Sequence, residues 1–292
     1  MSEPPTRGDG ERDPPQGPTY VGPREWPPPE MRWPPPPAAR TAPPGADAEV
    51  PRERRAPWQA LLLCVSIALV AQLGATLVFA AWMHGSPHAD ELNALDADAR
   101  LQRIAALPGG LESMILPLQA TLAAFALLLA VALPGGVRAG LGLERPRASA
   151  AQWLIAVGGT LAAQLAVTHG VIPHFDLPPH LKMLEEGLAQ RSVWPAIGFA
   201  VVAPALCEEL FFRGWLQRRL RVAWGSTVSI VLSGAIFAAY HMEPVHVLGV
   251  LPIGLWIAWV ADRTRSTWIA IACHAANNGF ALLAVRQGWS SG

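Results

Sequence analysis

The chain has 292 residues, of which 51% are hydrophobic and only 15% charged, a balance that excludes an ordinary soluble domain and reads as a polytopic membrane protein. Lysine plus arginine and aspartate plus glutamate number 22 each, so net charge gives no reason to invoke nucleic acid or another polyanion as partner. The three cysteines, Cys64, Cys207 and Cys273, lie in apolar stretches and form neither a disulfide framework nor a CxxC metal knuckle.

Taken in chain order, the first 57 residues hold 17 of the 29 prolines. Such a segment cannot bury a core, which predicts a disordered or polyproline II tail over 1–56, either simply solvated or a ligand for a proline-binding partner. No apolar stretch precedes residue 58, so no cleaved signal peptide is expected and the first membrane helix acts as its own insertion signal. Seven stretches then approach the 20 or so apolar residues that a membrane helix needs: about 58–82, 113–134, 151–172, 193–213, 225–241, 245–261 and 267–285. The fifth and sixth are short and joined by Met242-Glu-Pro244, a tight hairpin. The expected fold is all-α, a polytopic membrane helix bundle of about seven transmembrane helices. Segment 57–149 holds the first helices, and 150–286 carries the ionisable residues treated below.

Placing the amino terminus inside puts Arg52, Arg54 and Arg55, then Arg138, Arg145 and Arg147, then Arg213, Arg218, Arg219 and Arg221, and finally Arg263 and Arg265 on the cytoplasmic side. The opposite loops carry Asp90, Glu91, Asp96, Asp98, Asp176, Glu185 and Glu186. This segregation predicts a multi-pass protein of the cell membrane with a cytoplasmic amino terminus. Trp215–Arg221 alternates apolar and basic residues, as a short interfacial helix does.

Glu208 and Glu209 end the apolar run that begins at Gly198. An ionisable side chain in a bilayer-length segment costs about 2.5–3.5 kcal/mol on insertion scales, which marks a functional site facing the bundle interior. Residues four apart share a helix face, so Glu209 and Arg213 can pair and neutralise one another, a supporting role. Glu208 points elsewhere and has no cation within its own turn, which makes it the candidate for proton transfer. Pro204 removes the N–H that would bond the Ala200 carbonyl, kinking the helix beside the site. Phe237 lies one turn before His241, and His274 and Asn278 are again four apart, with Asn277 turned away. Neutral donors facing a Glu/His pair are what a developing oxyanion requires. The remaining histidines, His84, His88, His169, His174, His180 and His246, match no ligand spacing and are expected to be solvated.

The ordered motifs Glu208-Glu209-x-x-x-Arg213, Phe237-x-x-x-His241 and His274-x-x-x-Asn278 resemble those of the CPBP family of intramembrane endopeptidases, the CAAX prenyl protease and bacteriocin-processing group also called Abi proteins. The resemblance covers about residues 150–285. It implies an intramembrane glutamic-type protease that cleaves near the carboxyl terminus of membrane-anchored or lipid-modified proteins. In that scheme Glu208 and His241 activate a water, while His274 and Asn278 stabilise the tetrahedral oxyanion. Glu208, His241 and His274 would also make a Glu/His/His zinc set. No HExxH pair exists and no further carboxylate is placed to orient the imidazoles, so a metal-free site is favoured with zinc left open. Cys207 precedes Glu208 as Cys273 precedes His274. Small-residue packing explains both, while similarity to the myxosortase-like members would give Cys207 a place in the substrate cleft of an enzyme that sorts surface proteins. Two other classes stand against a protease: a non-catalytic immunity or scaffold protein, which intact motifs disfavour, and a proton-coupled transporter, for which no inverted repeat is visible.

One point of depth does not close on sequence alone. A fourth helix ending at Arg213 leaves Glu208 near the inner face, whereas His241 lies about 24 Å beyond the start of the fifth span. Either the fifth helix starts below the surface and tilts, or residues 212–224 re-enter and Glu208 lies nearer the midplane.

Overall fold

The computed structural model describes Met1, residues 57–133 and residues 135–289; apart from Met1, the tail anticipated over 1–56 lies outside the described residues. Among those residues all regular structure is helical. In chain order come α1 (Pro57–Gly85), α2 (Ala89–Ala94), α3 (Ala97–Ala106), α4 (Gly110–Val131), α5 (Gly136–Gly140), α6 (Ala150–Gly170) and α7 (Pro179–Gln190). A long helical run follows as α8 (Val193–Ala196), a π-helix over Ile197–Val202, α9 (Ala203–Glu209), a second π-helix over Leu210–Gln217 and α10 (Arg218–Ala239), and then α11 (Pro244–Thr264) and α12 (Thr267–Arg286). The protein is a multi-pass membrane helix bundle. Six helical stretches are long and apolar enough to cross a bilayer, and the fourth, Val193–Ala239, runs for 47 residues.

That fourth stretch contains two of the seven expected spans, and Gly225 separates them. Its φ of 81° and ψ of 179° lie where glycine alone is at ease. A straight helix would hold Phe212 and Phe237 about 37 Å apart; their ring centroids are 5.3 Å apart, and Ser233 Oγ donates to the Phe212 carbonyl at 3.3 Å. The chain therefore reverses at Gly225 and the second leg runs antiparallel to the first. Trp215, Leu216, Gln217 and Leu220 are buried within the first leg, so residues 215–221 form a packed continuation of the membrane helix and not the interfacial helix that their alternation suggested. The depth conflict disappears with it. Glu208 lies 17 residues before Gly225 and His241 16 residues after, so reversal there brings both to one level.

The first helices back this hairpin. On α1, Ala60, Cys64, Ile67 and Ala71 form a buried stripe at helical spacing, and on α4 Leu122, Ala126 and Ala130 form another, the small-residue contact that draws membrane helices together. α10 and α11 approach as closely: a Cβ on Gly234 would lie 2.7 Å from Leu255 Cδ2 and one on Gly254 2.9 Å from Phe237 Cδ1.

The two ends of the bundle differ. At one, α2, α3 and α7 form a cap of short helices where the sequence suggested only loops; Met183, Ala105 and Leu111 share its core. Glu91 there accepts from Arg103 Nε at 2.6 Å and lies 3.0 Å from His88 Nδ1, and these bonds hold its carboxyl below the ordinary carboxylate range. At the other end the segment formed by α5 and the loop after it is bound to the start of α12, with Thr267 Oγ1 donating to Leu141 O at 2.6 Å. It is also bound to α10, through Arg218 donating to Ala139 O at 3.1 Å.

Candidate active site

The site is built on α9, a single α-helical segment between two π-helices. In a regular α-helix the ring of Pro204 would clash with the carbonyl of Ala200 and leave it without its N–H partner. The wider π turn lies immediately before this proline, and Asn278 Nδ2 donates to the Ala200 carbonyl at 3.2 Å. Pro204 is thus accompanied by a π-helix and by a docking point for α12, in addition to the kink expected of it. π-Helical turns cost hydrogen-bond geometry and recur at functional sites.

The four charge-bearing motif residues converge. Glu208 is 5% exposed, Glu209 and Arg213 are 0% and 1%, and His274 is 5%. Arg213 donates to Glu209 Oε1 at 3.0 Å, the pairing expected from their spacing, and also to the Gly254 carbonyl on α11 at 2.9 Å. Its guanidinium lies 4.2 Å from the centre of the Phe237 ring. Glu209 Oε1 accepts a second bond from His274 Nδ1 at 2.9 Å. That bond is the carboxylate–imidazole contact which the sequence did not show, and it sets the ring's orientation. His274 Nε2 then faces Glu208 Oε2 at 3.9 Å.

Glu208 itself turns to a different helix. Gln119 of α4 donates to its Oε1 at 2.7 Å, whereas Oε2 is buried without a hydrogen-bond partner. His241 is held by Nδ1, 3.1 Å from the Phe237 carbonyl. A carbonyl only accepts, so the ring proton sits on Nδ1 and the neutral ring presents the Nε2 lone pair. Phe237 separates the two imidazoles, with centroid distances of 5.3 Å to His241 and 5.6 Å to His274. Asn277 donates to Asn278 Oδ1 at 3.2 Å, which fixes the amide of Asn278. Cys207 is half-buried and within electrostatic reach of Glu208, while Cys273 is fully buried in the packed cluster of Ala156, Ile257 and Ile269. Among the described residues no group of three His, Cys, Asp or Glu side chains is arranged to hold a metal ion.

Three participants escaped the motif reading. Gln119 was available as a signal, since an amide amid the apolar residues of α4 needs a partner. His246, expected to be solvated, lies with its ring 4.4 Å from that of His241; the two are joined through a turn, so helical spacing could not place them together. The Tyr240 ring adjoins His241 at 6.4 Å and its hydroxyl is buried without a partner.

Residues 190–280 match the family described as type II CAAX prenyl endopeptidase Rce1-like. Over these residues, less than half of the chain, the protein is similar to the Rce1-like family. The matched segment contains every residue of the three motifs, from Glu208 to Asn278, and is shorter than the 150–285 over which the resemblance was traced. No curated protein and no solved structure gives a significant match to the chain. The chain thus combines six helices of membrane-spanning length with a segment similar to that of a prenyl endopeptidase family.

Proposed function

We propose that this Rce1-like protein is a metal-free, glutamic-type intramembrane endopeptidase that cleaves near the carboxyl terminus of membrane-anchored or lipid-modified proteins. The observation that carries the reading is the asymmetry of Glu208: one carboxylate oxygen is held by Gln119, and the other is buried, unpartnered and 3.9 Å from His274 Nε2. An oriented carboxylate with one oxygen uncommitted is what a general base requires.

In this mechanism Glu208 Oε2 and His241 Nε2 polarise a water, and Glu208 takes its proton as the oxygen attacks the scissile carbonyl. The oxyanion of the tetrahedral intermediate accepts from His274 Nε2–H and from the Asn278 amide. Glu208 then returns the proton to the leaving amine. Because Nδ1 of His274 is engaged by Glu209, donation from Nε2 calls for the imidazolium; Arg213 and His274 then balance Glu208 and Glu209, leaving no net charge in the bilayer. Glu209, Arg213 and Phe237 position these groups, and Cys207 serves as the cleft residue for a substrate that carries a cysteine, as in the sorting of surface proteins. The amino terminus lies in the cytoplasm and the arginine-bearing end faces it.

The test is cleavage of anchored peptides by the purified full-length enzyme. Glu208→Gln and His241→Ala should each abolish cleavage while inserting at the parental level, and the parent should keep its activity after dialysis against a chelator. An active Glu208→Gln enzyme overturns the mechanism. Loss of activity on dialysis with restoration by zinc replaces it with a metal site of Glu208, His241 and His274.

A further inference from the structure

Away from the protease motifs, at the end of the bundle where the chain turns at Gly225 and again between α11 and α12, lies a cavity of about 400 Å³ whose lining includes Arg221, Arg263 and Arg265. Its one carboxylate, Asp262, is already used: Arg221 Nε lies 2.7 Å from Asp262 Oδ1, and Ser226 Oγ joins the same pair, 3.0 Å from Arg221 Nε and 3.2 Å from Asp262 Oδ1. This triad is a fixed wall. Arg263 and Arg265, by contrast, form no ion pair among the described residues, and Arg265 Nε is buried without a hydrogen-bond partner. Arg265 takes the left-handed conformation, φ 55°, as the cap that ends α11, which turns the chain at the cavity. The cavity therefore holds a surplus of two guanidinium charges, with Thr227 in its lining as a further hydroxyl donor.

The lining is also polarised along the helix. Ile230 and Val231 line the same cavity about one turn, or 5–6 Å, deeper than Ser226 and Thr227, and Trp259 adds an aromatic face. Val231 is 51% exposed. Donors gathered at the helix ends above an apolar wall suit a ligand that is anionic at one end and apolar at the other, and guanidinium forks match phosphate oxygens. We propose that this cavity binds the phosphate head group of an anionic membrane lipid, with Arg263 and Arg265 on the phosphate and Ile230, Val231 and Trp259 against the glycerol and upper acyl chain. Inorganic phosphate shares the first half of that chemistry and not the second, which separates the two sources.

The experiment measures thermal unfolding of the full-length protein in a neutral detergent on titration with phosphatidylglycerol, with phosphatidylcholine and with inorganic phosphate. Phosphatidylglycerol should raise the Tm at concentrations where the other two do nothing. The Arg263→Gln/Arg265→Gln protein should unfold like the parent without lipid and bind phosphatidylglycerol roughly tenfold to thirtyfold more weakly, as the loss of two cationic contacts implies. Arg263 is exposed, so Arg263→Gln alone provides the comparison should the double variant fold poorly. Arg138→Gln/Arg145→Gln, in the neighbouring groove beside Trp268, should leave the response unchanged. Equal stabilisation by inorganic phosphate overturns the lipid assignment, and equal losses in both arginine pairs overturn the site in favour of general surface charge. None of these readings uses cleavage, so the result stands apart from the protease mechanism.

Discussion

Helix α1 and the leg Val193–Gln217 are both membrane helices, yet they meet different demands. The α1 span has a mean hydropathy of 2.4 and no charged residue before His84; Leu62, Leu69, Leu73 and Leu77 are each 60% exposed or more. A bilayer asks of such a face only that it be apolar. The leg Val193–Gln217 carries Glu208, Glu209 and Arg213, and each reaches a residue on another helix: Gln119 on α4, His274 on α12 and the Gly254 carbonyl on α11. Its backbone departs from α geometry on both sides of the carboxylates. A helix can be placed in lipid by composition, but a charge can be placed there only by neighbours that the helix does not itself contain.

The strongest way to break this contrast is Arg213→Ala. It strips Glu209 of its guanidinium and leaves a buried carboxylate against a histidine alone, which should cost about 3–5 kcal/mol and show as loss of monodisperse protein after solubilisation. Parental yield and Tm for that variant would mean that the charge cluster does not hold the helices together. A finer probe is Gln119→Leu, which keeps the volume on α4 but removes the donor to Glu208 Oε1. A hydrogen bond to a charged group contributes about 1.5–3 kcal/mol to stability, so the Tm should fall correspondingly, and kcat/KM on an anchored peptide should fall by roughly tenfold as Glu208 loses its orientation. Unchanged kinetics would remove Gln119 from the site. At the other extreme, Leu69→Val on the outer face of α1 should move the Tm by no more than the equivalent of about 0.5 kcal/mol. A larger shift there would show that this face is covered by protein and not by lipid.

Much of the molecule was legible in its residues, for identifiable reasons. Runs of apolar side chains report bilayer spans because lipid imposes one rule on every residue it touches. The Glu209–Arg213 contact was legible because i,i+4 spacing is a property of a single helix. Pro204 was read as freeing the Ala200 carbonyl, but what fills a freed acceptor depends on which helix lies opposite; here it is Asn278. The alternation in 215–221 suggested a surface helix, and only the burial of Trp215 and Gln217 shows that the membrane helix continues.

From the sequence alone follow the helical membrane class, the spans apart from the continuation beyond Arg213, and the motif residues with their spacing on each helix. The tertiary structure decided which residues on different helices meet. Reversal at Gly225 sets the antiparallel register that levels His241 with Glu208, and close approach at Gly234 and Gly254 lets Arg213 reach across to α11. Gln119 and His246 join the site through the same packing. Periodicity describes the faces of one helix; the register between helices is a property of turns and of small residues where backbones touch, and no local pattern encodes it.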